Sequence, residues 1–93
     1  MDKIEIGSVV ISKAGRDCGE LYLVYAITGE KLSLVNGHAR KIQNPKIKSV
    51  KHLIVTNQKL NVIAEKIAEN KKIFDSEIYS ALKRCTENLE NDI

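Results

Sequence analysis

The segment VVISKAGRDCGELYLVYAI, Val9 to Ile27, decides how this chain folds. Two apolar runs rich in β-branched and aromatic residues, Val9-Val10-Ile11 and Leu21 to Ile27, are held apart by a polar loop containing Gly15 and Gly19. Runs of that composition bounded by turn residues read as strands. The loop between them mounts Lys13, Arg16, Asp17 and Cys18. Gly15 and Gly19 permit positive φ and close backbone approach, so amides there can meet a phosphate with no Cβ in the way. Arg16 presents a planar fork that suits a phosphate or a guanine edge, and Asp17 can brace that guanidinium or close the turn through its own backbone. A plain hairpin with an exposed arginine is the simpler reading of the same residues.

Further along, Thr28-Gly29-Glu30 ends the second strand and Leu32-Ser33-Leu34-Val35 reads as the third. Asn36-Gly37 fits a two-residue type I′ turn, which predicts a returning strand over His38 to Ile42. Pro45 cannot donate to a ladder, so Gln43 to Lys46 reads as a loop or irregular edge before Val50 to Val55 resumes the strand pattern. Five short strands with tight turns and no crossover helix predict a small antiparallel barrel or meander. At Thr56-Asn57, where either residue can cap a helix, the apolar period lengthens from two to about 3.6. Leu60, Ile63, Ala64, Ile67 and Ala68 form one stripe, and Asn70-Lys71-Lys72 interrupts it. Asp75 or Ser76 then begins a second helix with the stripe Ile78, Leu82, Cys85 and Leu89. The expected class is therefore mainly β with α: a barrel over residues 1–56 and a helical extension over 57–93 packed on it as a single unit.

Ninety-three residues make one domain, and 43% hydrophobic against 29% charged residues is the composition of a folded chain rather than a disordered one. No stretch approaches the roughly 20 apolar residues that cross a bilayer, and the start of the sequence lacks the apolar region of a secretion signal, so a cytoplasmic protein without a membrane partner is expected. Cys18 and Cys85 give neither a disulfide framework nor a CxxC pair, and His38 and His52 lack metal-ligand spacing with them. No metal or cofactor is expected. A phosphate-cradling loop, an HExxH helix and a nucleophile elbow are all missing, and Cys18 with His38 lacks a third group, so the chain does not read as an enzyme.

The net charge of +3 hides an asymmetry. No acidic residue stands between Lys31 and Ala64, whereas Lys31, Arg40, Lys41, Lys46, Lys48, Lys51 and Lys59 are all basic. Residues 1–56 carry a net +4 and residues 57–93 a net −1. Positive charge concentrated in one part of a small domain suits a polyanion, and Arg40, Lys41, Lys46 and Lys48 form a second candidate surface beside the glycine loop. Scarce aromatic residues, 4% of the chain, disfavour a single-strand mechanism built on many stacking platforms.

The run Ile6-Gly7-Ser8-Val9-Val10-Ile11-Ser12-Lys13-Ala14-Gly15-Arg16-Asp17-Cys18-Gly19-Glu20-Leu21-Tyr22-Leu23-Val24 resembles the KOW motif, a β-hairpin element of several ribosomal proteins and of the transcription elongation factor NusG. Gly7, Val9-Val10, Gly15, Gly19 and the apolar run after them are the matching positions, and Cys18 departs from the pattern where a lysine or another polar residue is expected. Ser12 to Asp17 and Leu32 to Gly37 look like the bacterial KOW-containing relatives of the eukaryotic and archaeal large-subunit ribosomal proteins numbered fourteen-e, six-e and twenty-seven-e. The resemblance implies an SH3-like barrel that binds structured, ribosomal RNA. Carried onto this chain, it makes Lys13, Gly15, Arg16, Asp17 and Gly19 one expected RNA contact, beside Arg40, Lys41, Lys46 and Lys48. Ribosomal or other translation proteins are further expected partners. A protein-interaction module of the translation or transcription machinery is the alternative, because barrels of this shape also bind proteins.

Overall fold

In the computed structural model, which describes residues 4–91 with side chains as far as Glu87, the opening segment forms β1 (Ser8–Ser12) and β2 (Leu21–Thr28). The two pair antiparallel with Val10 opposite Tyr22 and Val9 opposite Leu23. The chain continues through β3 (Lys31–Val35), β4 (Lys46–Ser49), a single 3-10 turn over Val50–His52, β5 (Leu53–Lys59), α1 (Asn61–Ala68) and α2 (Asp75–Asn91). The strands make one antiparallel sheet in the order β4-β3-β2-β1-β5, so the last strand closes onto the first. The expected architecture, a small antiparallel sheet of five strands followed by two helices, is what the described residues form.

Register divides the apolar side chains into two cores, because residues paired across an antiparallel ladder share a face. Val10, Tyr22, Val24, Leu32, Leu34 and Leu53 fill the inner one. Val9, Leu23 and Val35 turn the other way and pack under Ile63 of α1 and Ile78, Leu82 and Cys85 of α2. The helices are thus a lid on the outer face of the sheet. Leu89, expected to extend the α2 stripe, lies outside the described side chains.

The sheet is strongly curled. Lys48 on β4 bonds Ser12 on β1, although three ladder steps of about 4.8 Å separate these strands in a flat sheet. Curling also places Leu53 of β5 in one cluster with Leu32 and Leu34 of β3.

Three sequence expectations change. His38 to Ile42 is a loop, and the fourth strand is instead Lys46–Ser49, at the sheet edge immediately after Pro45. Asn36-Gly37 makes no two-residue hairpin. The Asn36 side-chain oxygen accepts the N–H groups of His38 (3.0 Å) and Arg40 (2.8 Å), winding the loop around itself. Gly37, at φ +74°, presses so closely on α2 that an added Cβ would stand 2.1 Å from the Asp75 carbonyl oxygen. A tertiary contact, rather than a local turn preference, fixes this glycine.

The second change lies at residues 50–52, which form the 3-10 turn, so β5 starts at Leu53. The third concerns the first helix, for Thr56 caps nothing: its hydroxyl donates to the Val9 carbonyl at 2.8 Å, and β5 continues to Lys59 opposite Ser8. α1 begins at Asn61. It ends in a Schellman turn, with Asn70 at φ +58°, Asn70 N–H donating to the Ile67 carbonyl and Lys71 N–H to the Lys66 carbonyl. α2 begins at Asp75 as expected, and Glu77 in its first turn accepts the Phe74 N–H at 3.0 Å, one half of a capping box.

Candidate nucleic-acid interface

Lys13 to Glu20 folds back on itself rather than lying flat and open. Ser12 N–H donates to the Glu20 carbonyl at 3.0 Å, Gly19 N–H to the Ser12 carbonyl at 2.7 Å, and Glu20 N–H to the Asp17 carbonyl at 2.9 Å. Gly15 and Gly19 do take positive φ, +85° and +95°. The Gly19 amide is nevertheless engaged internally, so it does not offer a phosphate the donor that the sequence suggested.

Asp17 organises the loop from within. Its Oδ2 accepts the Tyr22 hydroxyl at 2.8 Å, and its Oδ1 accepts Lys48 Nζ at 2.9 Å and lies 3.0 Å from Ser12 Oγ. Lys46 Nζ stands 3.6 Å from Oδ2. Burial alone would raise the Asp17 pKa, but the hydrogen bonds from Lys48, Tyr22 and Ser12 and the charge of Lys46 overcome it and hold the carboxyl well below the usual carboxylate range. Tyr22 moves the opposite way. Burial, then its hydrogen bond to Asp17 and that residue's negative charge, push the phenol well above its ordinary value.

Lys48 also donates to Ser12 Oγ and to the Ala14 carbonyl at 2.7 Å, leaving its side chain only 11% exposed. Register explains this placement. Lys46 pairs with Leu34 and Lys48 with Leu32, so both lysines point to the inner face and meet the hairpin loop where it closes over that core. Of the residues expected to touch RNA, Asp17 and Lys48 are engaged with each other and with Ser12, Ala14 and Tyr22, forming an internal clamp that holds the loop.

The remaining cations are positioned by separate contacts. Lys13 and Arg16 are exposed on the loop, and Lys46 from β4 is drawn beside them with its side chain 28% exposed. Lys13 N–H donates to the His52 carbonyl at 3.0 Å, which brings the 3-10 turn carrying Lys51 alongside. Arg40, partly buried on the 36–42 loop, is close enough to Tyr22 for its charge to oppose the rise of the phenol pKa. Lys41 is exposed one residue further on, in a segment pinned to α2 by the bond from Ile42 N–H to Asp75 Oδ1 at 2.9 Å. Segments 13–19 and 46–51 thus bring Lys13, Arg16, Lys46 and Lys51 to one side, while Arg40 and Lys41 stand on a separate loop seated against α2.

Sequence reasoning missed Ser12 and Tyr22. Their signal was present in the alternation: hydroxyls at a strand's end and in its neighbour, both facing the core, require a polar partner, and Asp17 is the acid in the intervening loop. Among the described residues no group of three His, Cys, Asp or Glu side chains gathers as a metal site. No protein-family model matches this chain, and no curated protein is significantly similar to it.

Proposed function

We propose that this chain binds structured RNA, with Lys13, Arg16, Arg40, Lys41 and Lys46 meeting phosphates and the Asp17–Lys48 clamp holding the loop in shape. The observation that carries this reading is the clamp itself, which joins the glycine loop to the acid-free segment of the chain and leaves Arg16 and Lys13 facing outward. A loop already held by internal bonds costs little further backbone ordering when it meets a rigid polyanion. Contact with about three to six phosphates gives a salt-sensitive affinity with little base selectivity, so the fold of the RNA is read more than its sequence. Ribosomal RNA is the structured RNA that the KOW resemblance implies.

Cross-linking in cells, followed by sequencing of the recovered RNA, tests the reading. Recovery should fall sharply for the Arg16→Ala, Arg40→Ala, Lys41→Ala triple variant. Unchanged recovery would remove the site assignment, and no RNA above background would remove the function. A protein-interaction module is the second reading, favoured by Ile47 and Ile54, which stand 57% and 49% exposed on the two edge strands. Binding through such residues would persist at high salt, where phosphate contacts fail.

A further inference from the structure

A cleft of about 400 Å³ opens between the end of the hairpin loop, the 36–38 loop and α2. That volume falls within the range of small-ligand sites. Leu21 and Leu82 give it apolar lining, and its most distinctive feature is a ring pair, His38 from the loop and Tyr79 from α2, with centroids 5.7 Å apart and planes tilted by 56°. Tyr79 remains 47% exposed despite this contact. The ring pair lies outside the buried core and leaves aromatic surface open to the cleft, in a chain with few aromatic residues.

The charges around the cleft restrict what enters. One side is the base of the clamped loop, at Gly19 and Glu20; the other belongs to the loop that carries Arg40 and Lys41 two or three residues beyond His38. Arg40 and Lys41 thus stand on a loop that borders the cleft without lining it. Glu20 and Glu87 contribute two carboxylates to the lining against the single ammonium of Lys83, so the lining is net acidic and offers acceptors to amino N–H groups. Of the parts of a nucleotide, the base best matches a cleft with ring faces, aliphatic lining and two carboxylate acceptors to one ammonium.

We infer that the cleft receives a single unpaired, amino-bearing nucleobase of the bound RNA, stacked on Tyr79 beside the tilted ring of His38, while the adjoining phosphates reach the cations of the neighbouring loop. The inference deepens the RNA-binding reading and rests on it. It turns a surface that follows the shape of a folded RNA into one that also selects a bulge or a splayed loop base, the usual target of specific RNA recognition.

The test uses the full chain and three RNA stems: one fully paired, one with a single bulged adenosine, and one with an abasic bulge at the same position. Fluorescence anisotropy at fixed low salt gives each affinity. The bulged adenosine stem should bind roughly 10-fold more tightly than the other two, the order expected for one base stacked on an aromatic platform. Tyr79→Ala should abolish that preference and Tyr79→Phe should keep it. Equal, salt-sensitive binding to all three stems by the unsubstituted chain would overturn the inference and leave the RNA reading standing, as would a preference that survives Tyr79→Ala. Failure to bind any stem would overturn both. The abasic comparison needs no substitution, so it decides the matter even if Tyr79→Ala fails to fold.

Discussion

Lys48 Nζ lies 2.9 Å from Asp17 Oδ1, joining the edge strand to a loop 31 residues earlier in the chain. Both side chains are nearly buried, at 11% and 13% exposed, and both have further partners in Ser12, Tyr22, Ala14 and Lys46. Removing one member of a pair in that setting leaves the other poorly solvated, which is where such interactions show their largest effects.

Asp17→Asn should lower stability by about 2–3 kcal/mol, a fall in Tm of roughly 10–20 °C for a domain of this size. Lys48→Met should cost less, since Asp17 keeps Lys46 and the Tyr22 hydroxyl. Urea titrations of both single variants and the double variant should give a coupling energy above about 1 kcal/mol. Asp17→Asn should also weaken RNA binding, although it makes the protein more positive, because the loop loses its shape. Tighter binding would mean that charge alone governs the contact.

Acid should erode the clamp from one side and alkali from the other. The Asp17 pKa is lowered on folding, so its contribution is complete above its ordinary value of 3.8 and is lost as pH falls toward the lower folded value. The stability advantage over Asp17→Asn should therefore narrow below about pH 4 in urea titrations. The Tyr22 pKa is raised on folding, so its contribution is complete below its ordinary value of 10.0 and is lost as pH rises through the higher folded one. Tyr22→Phe should remove that alkaline loss while costing about 1 kcal/mol at neutral pH for the missing hydrogen bond to Asp17.

Two glycines with positive φ should respond differently to alanine. At Gly19 an added Cβ meets nothing within 4 Å, so Gly19→Ala should cost only the backbone term, about 1 kcal/mol. At Gly37 the Cβ would meet the Asp75 carbonyl oxygen at 2.1 Å and Tyr79 N at 2.8 Å, so Gly37→Ala should cost more than about 2 kcal/mol. Thermal melts distinguish the two, and equal losses would contradict the tight seat of the 36–42 loop on α2.

Most of the fold could be read from local pattern because β1, β2, β3 and α2 are set by it. Val9-Val10-Ile11, Leu21 to Ile27 and Leu32 to Val35 alternate or run apolar between turn residues, and Ile78, Leu82 and Cys85 repeat at helical spacing. The errors arose where distant contacts decide. Asn36-Gly37 has a hairpin composition, but Gly37 is shaped by α2 and Asn36 bonds its own loop, so the fourth strand moved to Lys46–Ser49. That shift changed the site as well. Once Lys46 and Lys48 sit opposite Leu34 and Leu32, alternation turns both toward the inner core, and Lys48 becomes a partner of Asp17 instead of an open cation. Arg16 and Lys13 needed no such information, since a loop exposes them in either register.

The salt dependence of binding to a folded RNA tests the central claim most directly. Fluorescence anisotropy across a range of salt concentrations should give a plot of log affinity against log salt with a slope of roughly −3 to −5, as expected for about three to six neutralised phosphates. Arg16→Ala should flatten that slope by about one while leaving the thermal melt unchanged. A flat plot for the unsubstituted chain, or a slope indifferent to Arg16→Ala, would contradict the assignment of this loop and its neighbouring cations to phosphate.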